Sequence, residues 1–485
     1  MSPAPPFRYD GYRLDPAQNL LTCHYSLGER SFAERVGFPG GGNWAAPEVA
    51  AAARLVFLLA GVSYYKTAAP DVIDLGSTAV TDTERAFLTG FYVDGLGEFA
   101  YRNGLDLSGL RVEGPSPRSG DEGVRGGGWP PPSREARSGL LSVPRRSRSA
   151  PPASAGGRSG GPGGRPPGLA EPLVPFGGGI DSIVTVELVR QHTAPALFIV
   201  GRPGDRFAAI EAPAAVTGLP IVRAEREIDP LLLRSAEHGF LNGHVPVTGI
   251  ISAIAVMAAT LEGRDAVVMS NEWSASIPTL EDRGRAINHQ YSKSAAFEAA
   301  FQSVLAQAGA QLPGYFSALR DRSELWVAQR FAGLTQYHST FRSCNRAFHI
   351  DPARRLDRWC GRCDKCAFID LILAPFVPAA SLAQIFGGQE PLADPDPHGE
   401  LAGRFRTLLG TSPDSKPFEC VGEVSECRAA AVLAAARPDR AGNKLLQALT
   451  GELAGLPELT PAADLLRPLG ENFIPDAYAA DDRLV

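Results

Sequence analysis

The chain has 485 residues, 44 % of them hydrophobic and 21 % charged, which is enough apolar side chain for roughly three ordinary domains at about 150 residues each. A formal net charge of −6 argues against a general nucleic-acid coat or a binder of anionic membranes. Seven cysteines, four of them between Cys344 and Cys366, suit an intracellular metal site better than a secreted disulfide framework, so a cytoplasmic location is expected.

Residues 1–113 form an N-terminal α+β unit. Strand-like runs span Phe7 to Tyr12 and Leu20 to Tyr25, and a helical run spans Ala46 to Leu59. Phe87, Phe91, Tyr92, Leu96 and Phe99 then fall at helical spacing and read as a core face. Residues 114–168 differ in kind. Of these 55 residues, 14 are Gly, 11 Pro, 9 Arg and 9 Ser, a composition that buries too little apolar surface to offset ordering entropy. The segment reads as a disordered insert.

Residues 169–375 alternate between strand and helix. LVPF is a strand and IVTVELVRQH a helix. ALFIVG is a strand and FAAIEAPAAVTG a helix. LPIVRA is a strand, TGIISAIAVMAATLEG a helix, and DAVVMS a strand. This pattern predicts a doubly wound α/β fold with a parallel sheet, and ligands on such sheets bind at the carboxyl ends of the strands. The longest apolar run, 247–261, is too short to span a bilayer and carries Thr248, Ser252 and Thr260. Residues 376–485 are Ala/Leu-rich and read as mostly helical.

The first strand of the alternating segment leads into Gly177-Gly178-Gly179-Ile180-Asp181-Ser182. Three glycines let backbone approach a polyphosphate closely, and the free N–H groups of a helix start favour anions. Ser182 can add a hydroxyl. Asp181 makes sense beside phosphate only through Mg²⁺. No Gly-Lys-Ser/Thr closes the loop, so it is not a Walker A loop. It resembles the SGGxDS loop of the PP-loop ATP pyrophosphatases, which split ATP into AMP and pyrophosphate and adenylate a substrate oxygen; Gly177 stands where those enzymes usually have Ser. A plain glycine turn is the alternative.

Cys344, Cys360, Cys363 and Cys366 follow the spacing C-x15-C-x2-C-x2-C. Four thiolates suit tetrahedral zinc or an iron–sulfur cluster. A structural Zn²⁺ is preferred, because PP-loop enzymes that make 7-cyano-7-deazaguanine carry a closely similar cluster.

Further strings complete the pattern: GHVPVT, SNEWSAS, NHQYSKS, RDRSEL, SCNR, WCGRCDKC and PFECVG, with FYVDGLGEFAYRNGLDLS in the N-terminal unit. Together they resemble the MurL family, ATP-dependent UDP-N-acetylmuramoyl-L-alanyl-L-glutamate epimerases of peptidoglycan synthesis. The resemblance covers most of the chain outside 114–168. Asp321-Arg322 departs from it, standing where a Pro-containing pair is expected. The resemblance implies ATP, Mg²⁺ and a UDP-MurNAc-dipeptide as ligands, with no nucleic-acid or membrane partner. It also implies a chemistry. A free carboxylate is too weak a carbon acid to lose its α-proton, whereas its adenylate is neutral and can form an enolate.

Within these motifs, Gly177, Gly178, Gly179, Asp181 and Ser182 are expected to hold ATP. Asp181, Glu272, His289 and Lys293 are candidates for metal binding, phosphate binding or proton transfer. Asn271, Asn288, Arg320 and Arg322 are candidates for substrate contact, the arginines by clamping a carboxylate. Cys420 is a candidate thiolate, since cofactor-free glutamate racemases use thiolates, but a lone cysteine of this kind reads as a packed side chain, and Cys427, seven residues on, is poorly placed to partner it. Two rivals stand beside the epimerase: a PP-loop ligase or amidating enzyme of the 7-deazaguanine type, and a catalytically silent nucleotide sensor.

Overall fold

The computed structural model describes residues 5–117, 170–349, 351–412, 417–456 and 459–478. The segment read as a disordered insert lies, from residue 118 onward, outside the described residues.

One large sheet organises the chain. Its strands are β1 (Phe7–Asp15), β2 (Leu20–Leu27), β3 (Arg30–Gly37), β4 (Val72–Asp74), β5 (Arg111–Glu113), β6 (Leu173–Pro175), β7 (Ala196–Gly201), β8 (Ile221–Glu227), β9 (Ala266–Met269) and β12 (Gly314–Ser317). They lie in the order β12-β9-β6-β7-β8-β3-β2-β1-β4-β5. A separate two-stranded ribbon pairs β10 (Leu280–Asp282) with β11 (Arg285–Ile287). The half from β12 to β8 is parallel throughout. The first three strands form an antiparallel meander that continues the sheet, because β3 pairs antiparallel with β8. The molecule is therefore α/β with a mostly parallel central sheet, and the N-terminal strands extend that sheet instead of forming one of their own.

The apolar runs of the parallel strands follow from burial on both faces. Side chains alternate between two cores, as the period of two requires. Leu173, Phe198, Val267 and Tyr315 face one core, where the Pro47–Ala60, Val247–Glu262 and Ala295–Ala306 helices pack. Val174, Leu197, Val268 and Phe316 face the other, where the Ile180–Val189, Glu324–Ala332, Asp364–Leu373 and Val424–Ala435 helices pack. The stretch Pro47–Tyr65 is long and apolar enough to cross a membrane, but 78 % of it is buried inside the fold, as a core helix would be.

The β3–β8 seam is closed by a buried ion pair. Glu34 has no exposed surface and accepts from Arg226 Nε at 2.8 Å and Nη2 at 3.1 Å. Ser63 accepts a further bond from the same guanidinium. A charge buried like this costs little only while every partner is present.

From β6 the chain winds outward through β7 to β8; β9 and β12 lie on the other side of β6. The order reverses between β6 and β9, and an open α/β sheet places its crevice outside the carboxyl ends of the strands at such a switch point. The glycine turn follows β6, Asn271 and Glu272 follow β9, and the 318–324 segment follows β12.

Candidate functional site: a carboxylate trio joined to a thiol–imidazole cluster

The glycine turn is shaped by contact. Gly178 has φ +76°, and a Cβ there would lie 2.4 Å from the Ala209 carbonyl oxygen, so only glycine fits. A Cβ at Gly177 would meet nothing within 4 Å, so the open side of the turn has room for a ligand. Gly179 is the N-cap of the Ile180–Val189 helix and offers no side chain to cap it. Ser182 donates to the Gly179 carbonyl at 3.0 Å, which fastens the first turn.

Asp181 projects from that first turn toward two other carboxylates. One oxygen each of Asp181, Glu272 and Glu324 lies within 4.8 Å of the others. Asp181 Oδ1, Glu272 Oε2 and Glu324 Oε2 are buried with no hydrogen-bond partner. Buried carboxylate oxygens without donors are costly. A hard divalent cation bound by oxygen ligands is the group that fits them, and Mg²⁺ with bound phosphates has this preference. Burial, then repulsion from Glu272, pushes Asp181 up to about 6 against the pull of Lys365 and Lys293. Glu324 is pushed well above the usual carboxylate range by burial, then by Asp181 and Glu272. Its position is fixed at the start of the Glu324–Ala332 helix, whose N-cap Ser323 accepts from Trp326 N, while Glu426 accepts from the Glu324 N–H at 2.8 Å.

Lys293 joins this trio to a second group. Its Nζ donates to Cys420 Sγ at 3.5 Å and to Gln290 Oε1 at 3.2 Å. Burial alone would lower its ammonium, but Cys420, Glu272, Asp181 and Glu324 outweigh burial and push it up. His289 bonds Glu98 through Nδ1 and stands against the ring of His244, with centroids 4.3 Å apart. Burial would lower His289, yet hydrogen bonds to Cys420 and Glu98 carry it up to about 9. His244 is pushed down to about 4 by burial and then by His289, so a neutral imidazole lies beside a charged one. Burial would raise the Cys420 thiol, but Lys293, the His289 hydrogen bond and Lys365 bring it down to about 6. Lys365 Nζ also donates to the Cys420 carbonyl.

The arginines read from sequence as carboxylate clamps are differently engaged. Arg320 is 1 % exposed; its Nε donates to Glu298 at 2.8 Å, Nη1 to the Glu272 carbonyl at 3.1 Å and Nη2 to the Lys293 carbonyl at 2.6 Å. It fixes the backbones that carry Glu272 and Lys293 and has its fork filled by protein. Arg322 pairs with Asp321 and lies over the Trp326 ring at 4.8 Å. Asn288 is also structural, since it donates to the Ala275 carbonyl at 2.9 Å and accepts from Gln290 N at 2.7 Å. Asn271 is buried at the end of β9, where its N–H donates to Ser317 Oγ at 2.7 Å. Cys420 is not packed among apolar side chains, and it precedes the Val424–Ala435 helix that contains Cys427, so the two do not share a helix.

Cys344, Cys360, Cys363 and Cys366 come together, their sulfurs within 4.8 Å of one another. Sγ of Cys366 lies 3.6 Å from that of Cys360 and 3.4 Å from that of Cys363. A ZnS₄ tetrahedron with Zn–S of about 2.3 Å has sulfurs about 3.8 Å apart, so the four thiols fit zinc with a small expansion. The backbone N–H groups of Arg362 and Cys363 point at Cys360 Sγ, at 3.5 and 3.4 Å, the donors that a thiolate accepts. Cys363 is the N-cap of the Asp364–Leu373 helix, whose first turn carries Cys366 and presents Lys365 to the Cys420 carbonyl.

Sequence reasoning passed over three residues that the structure brings to this site, Glu98, Glu324 and Lys365, and preferred a packed reading for Cys420. Glu324 had a usable signal, a carboxylate opening a helix directly after a strand of the sheet. Glu98 and Lys365 lay inside strings read for their aromatics and cysteines, and only the fold brings them to Cys420.

Residues 2–125 and 142–318 match the model of the MurL N-terminal domain, and residues 340–463 match that of the MurL C-terminal domain. A curated relative from Xanthomonas oryzae pv. oryzae is 36 % identical over 97 % of this chain and 95 % of its own length. One from Salinispora tropica is 37 % identical over 98 % of this chain and 94 % of its own, and one from a Micromonospora species is 34 % identical over 98 % and 96 %. All three are named UDP-N-acetyl-alpha-D-muramoyl-L-alanyl-L-glutamate epimerase. No solved structure matches the chain. With both domain models matched and relatives aligned almost end to end, the chain belongs to the MurL family.

Proposed function

We propose that this protein is an isomerase that inverts the terminal glutamate of UDP-MurNAc-L-Ala-L-Glu, from L to D, after activating that residue's α-carboxylate with ATP. The substrate comes from the names of its relatives. The observation that supports the activation step is the carboxylate trio with its three orphaned oxygens beside an uncapped glycine turn. When bound there, Mg²⁺ would neutralise phosphate charge during attack at the α-phosphorus. The turn's N–H groups and Lys293 would bind the phosphates. Carboxylate oxygen attacks the α-phosphorus, pyrophosphate leaves, and the resulting mixed anhydride is neutral at the carbonyl. Its α-proton can then be removed to give an enolate; reprotonation on the opposite face and hydrolysis release the D-glutamyl product and AMP.

The PP-loop architecture belongs to this proposal, supported by the strand order and by the position of the turn after β6. So does a structural Zn²⁺ on the four clustered cysteines, and so does a cytoplasmic location, where nucleotide-linked precursors and ATP are both at hand. The test is nucleotide product analysis with L-Glu- and D-Glu-terminated substrates. Either epimer should elicit AMP and pyrophosphate and drift to a mixture of both. Formation of ADP and phosphate, or a requirement for ammonia or another amine, would contradict the reading.

A further inference from the structure

We propose that Cys420 is the base that takes the glutamyl α-proton, positioned by Lys293 and by His289, which Glu98 in turn orients. This rests on the epimerase reading and names the group that performs its carbon chemistry.

The geometry around Cys420 is that of a placed reactive group. The 417–420 segment is fastened at each neighbouring residue. Phe418 lies against the Tyr101 ring at 5.8 Å and under the Arg102 guanidinium at 5.0 Å. Glu419 accepts from Asn345 Nδ2 at 3.0 Å, and the Cys420 carbonyl accepts from Lys365. The thiol therefore reaches Lys293 and His289 from a tethered backbone. His289 is itself held through Nδ1 by Glu98, which leaves its other nitrogen for Cys420. Glu98 is 5 % exposed and also accepts from Arg102 Nε at 2.6 Å, so the chain Glu98–His289–Cys420 has a fixed far end. Cys23 and Cys427 sit elsewhere in the fold. Cys427 is buried in the helical core, and Cys23 is buried where desolvation pushes its thiol well up. Cys420, which lies outside the four-cysteine cluster, is brought down to about 6 by Lys293, His289 and Lys365, so it is ionised at neutral pH.

The step balances without a further reagent. The Cα–H bond of the acyl-adenylate breaks, its proton goes to Sγ, and its electron pair remains on Cα as the enolate. The thiolate becomes a thiol. Lys293 spans the interval between the thiolate and the carboxylate trio, so the base stands next to the place where the carboxyl group would be adenylated. Return of a proton to the opposite face needs a second donor, and the thiol later loses its proton to solvent.

The test uses the full chain and separates the two half-reactions. Wild type should exchange labelled pyrophosphate into ATP in the presence of substrate and should take deuterium from D₂O at the glutamyl α-carbon. Cys420→Ser should keep the pyrophosphate exchange within about threefold and lose deuterium uptake by about 1,000-fold, the range of a positioned general base. A variant that takes up deuterium at the wild-type rate, or that loses both reactions in equal proportion, overturns the assignment. Should the variant fold poorly, iodoacetamide modification of folded wild type, mapped to Cys420 by mass spectrometry, gives the same split. Labelled substrate that stays covalently bound to wild type after acid quench would overturn the base role in favour of a thioester. Wild-type deuterium uptake that needs no ATP but is lost in Cys420→Ser would leave the base assigned and remove the activation step instead.

Discussion

Three carboxylates in one buried place repel, and burial together with that repulsion makes Asp181 and Glu324 weaker acids than ordinary carboxyl groups. Each retains an oxygen with no donor, so the group is unsatisfied by protein alone. Glu324→Gln keeps the side chain's size and removes one anionic ligand. It should weaken Mg²⁺ binding and reduce pyrophosphate formation by about 100-fold or more, the scale on which single electrostatic groups act in transition states; steady-state kinetics against Mg²⁺ concentration measures both. An unchanged Mg²⁺ dependence would place the cation elsewhere. The thiol makes an independent prediction. Lys293, His289 and Lys365 act on Cys420, Glu98 acts on His289, and His289 in turn acts on His244. The first three favour the thiolate, so ionisation should be half complete near pH 6 and not near the ordinary value of about 8.5. Thiolate absorbance of wild type minus that of Cys420→Ser, followed from pH 4 to 10, reports the midpoint.

The elements show which parts of the fold the sequence could announce. The parallel strands were legible because both faces are buried and the apolar runs are continuous: LVPF, ALFIVG and DAVVMS became β6, β7 and β9. β3 escaped because Arg30, Glu34 and Arg35 interrupt its apolar residues; Glu34 faces inward only because Arg226 on β8 meets it. That pairing lies across nearly 200 residues, beyond any local pattern. The same reason hid the role of Arg320, whose partner Glu298 belongs to a helix that precedes β12. Removing one member of a buried pair strands the other, so Glu34→Ala should lower unfolding stability by about 3–5 kcal/mol. Chemical denaturation would check this, and a loss below about 1 kcal/mol would mean that the seam does not depend on the pair.

Across the molecule, the site draws on segments that no single motif contains. Glu98 comes from the N-terminal unit, Asp181 from the glycine turn, and Glu272, His289, Lys293 and Glu324 from the segments after β9 and β12. Lys365 comes from the cysteine-bearing helix and Cys420 from the C-terminal region. The cysteine cluster is thereby connected to the chemistry through Lys365. Zinc removal should lower the melting temperature, since metal affinity is coupled to folding. It should also reduce epimerisation by releasing the contact to the Cys420 carbonyl. Cys363→Ser with elemental analysis tests the site: about one Zn²⁺ per wild-type chain is expected, and iron with inorganic sulfide would overturn zinc.

The central claim is that ATP cleavage and inversion at carbon are one coupled process. Incubation in D₂O with UDP-MurNAc-L-Ala-L-Glu and Mg²⁺, with and without ATP, tests it most directly. With ATP, the D-glutamyl product should carry deuterium at its α-carbon and appear with AMP and pyrophosphate; without ATP, no deuterium should enter. Deuterium uptake at the same rate in the absence of nucleotide, or pyrophosphate release with the α-hydrogen retained, would contradict the account.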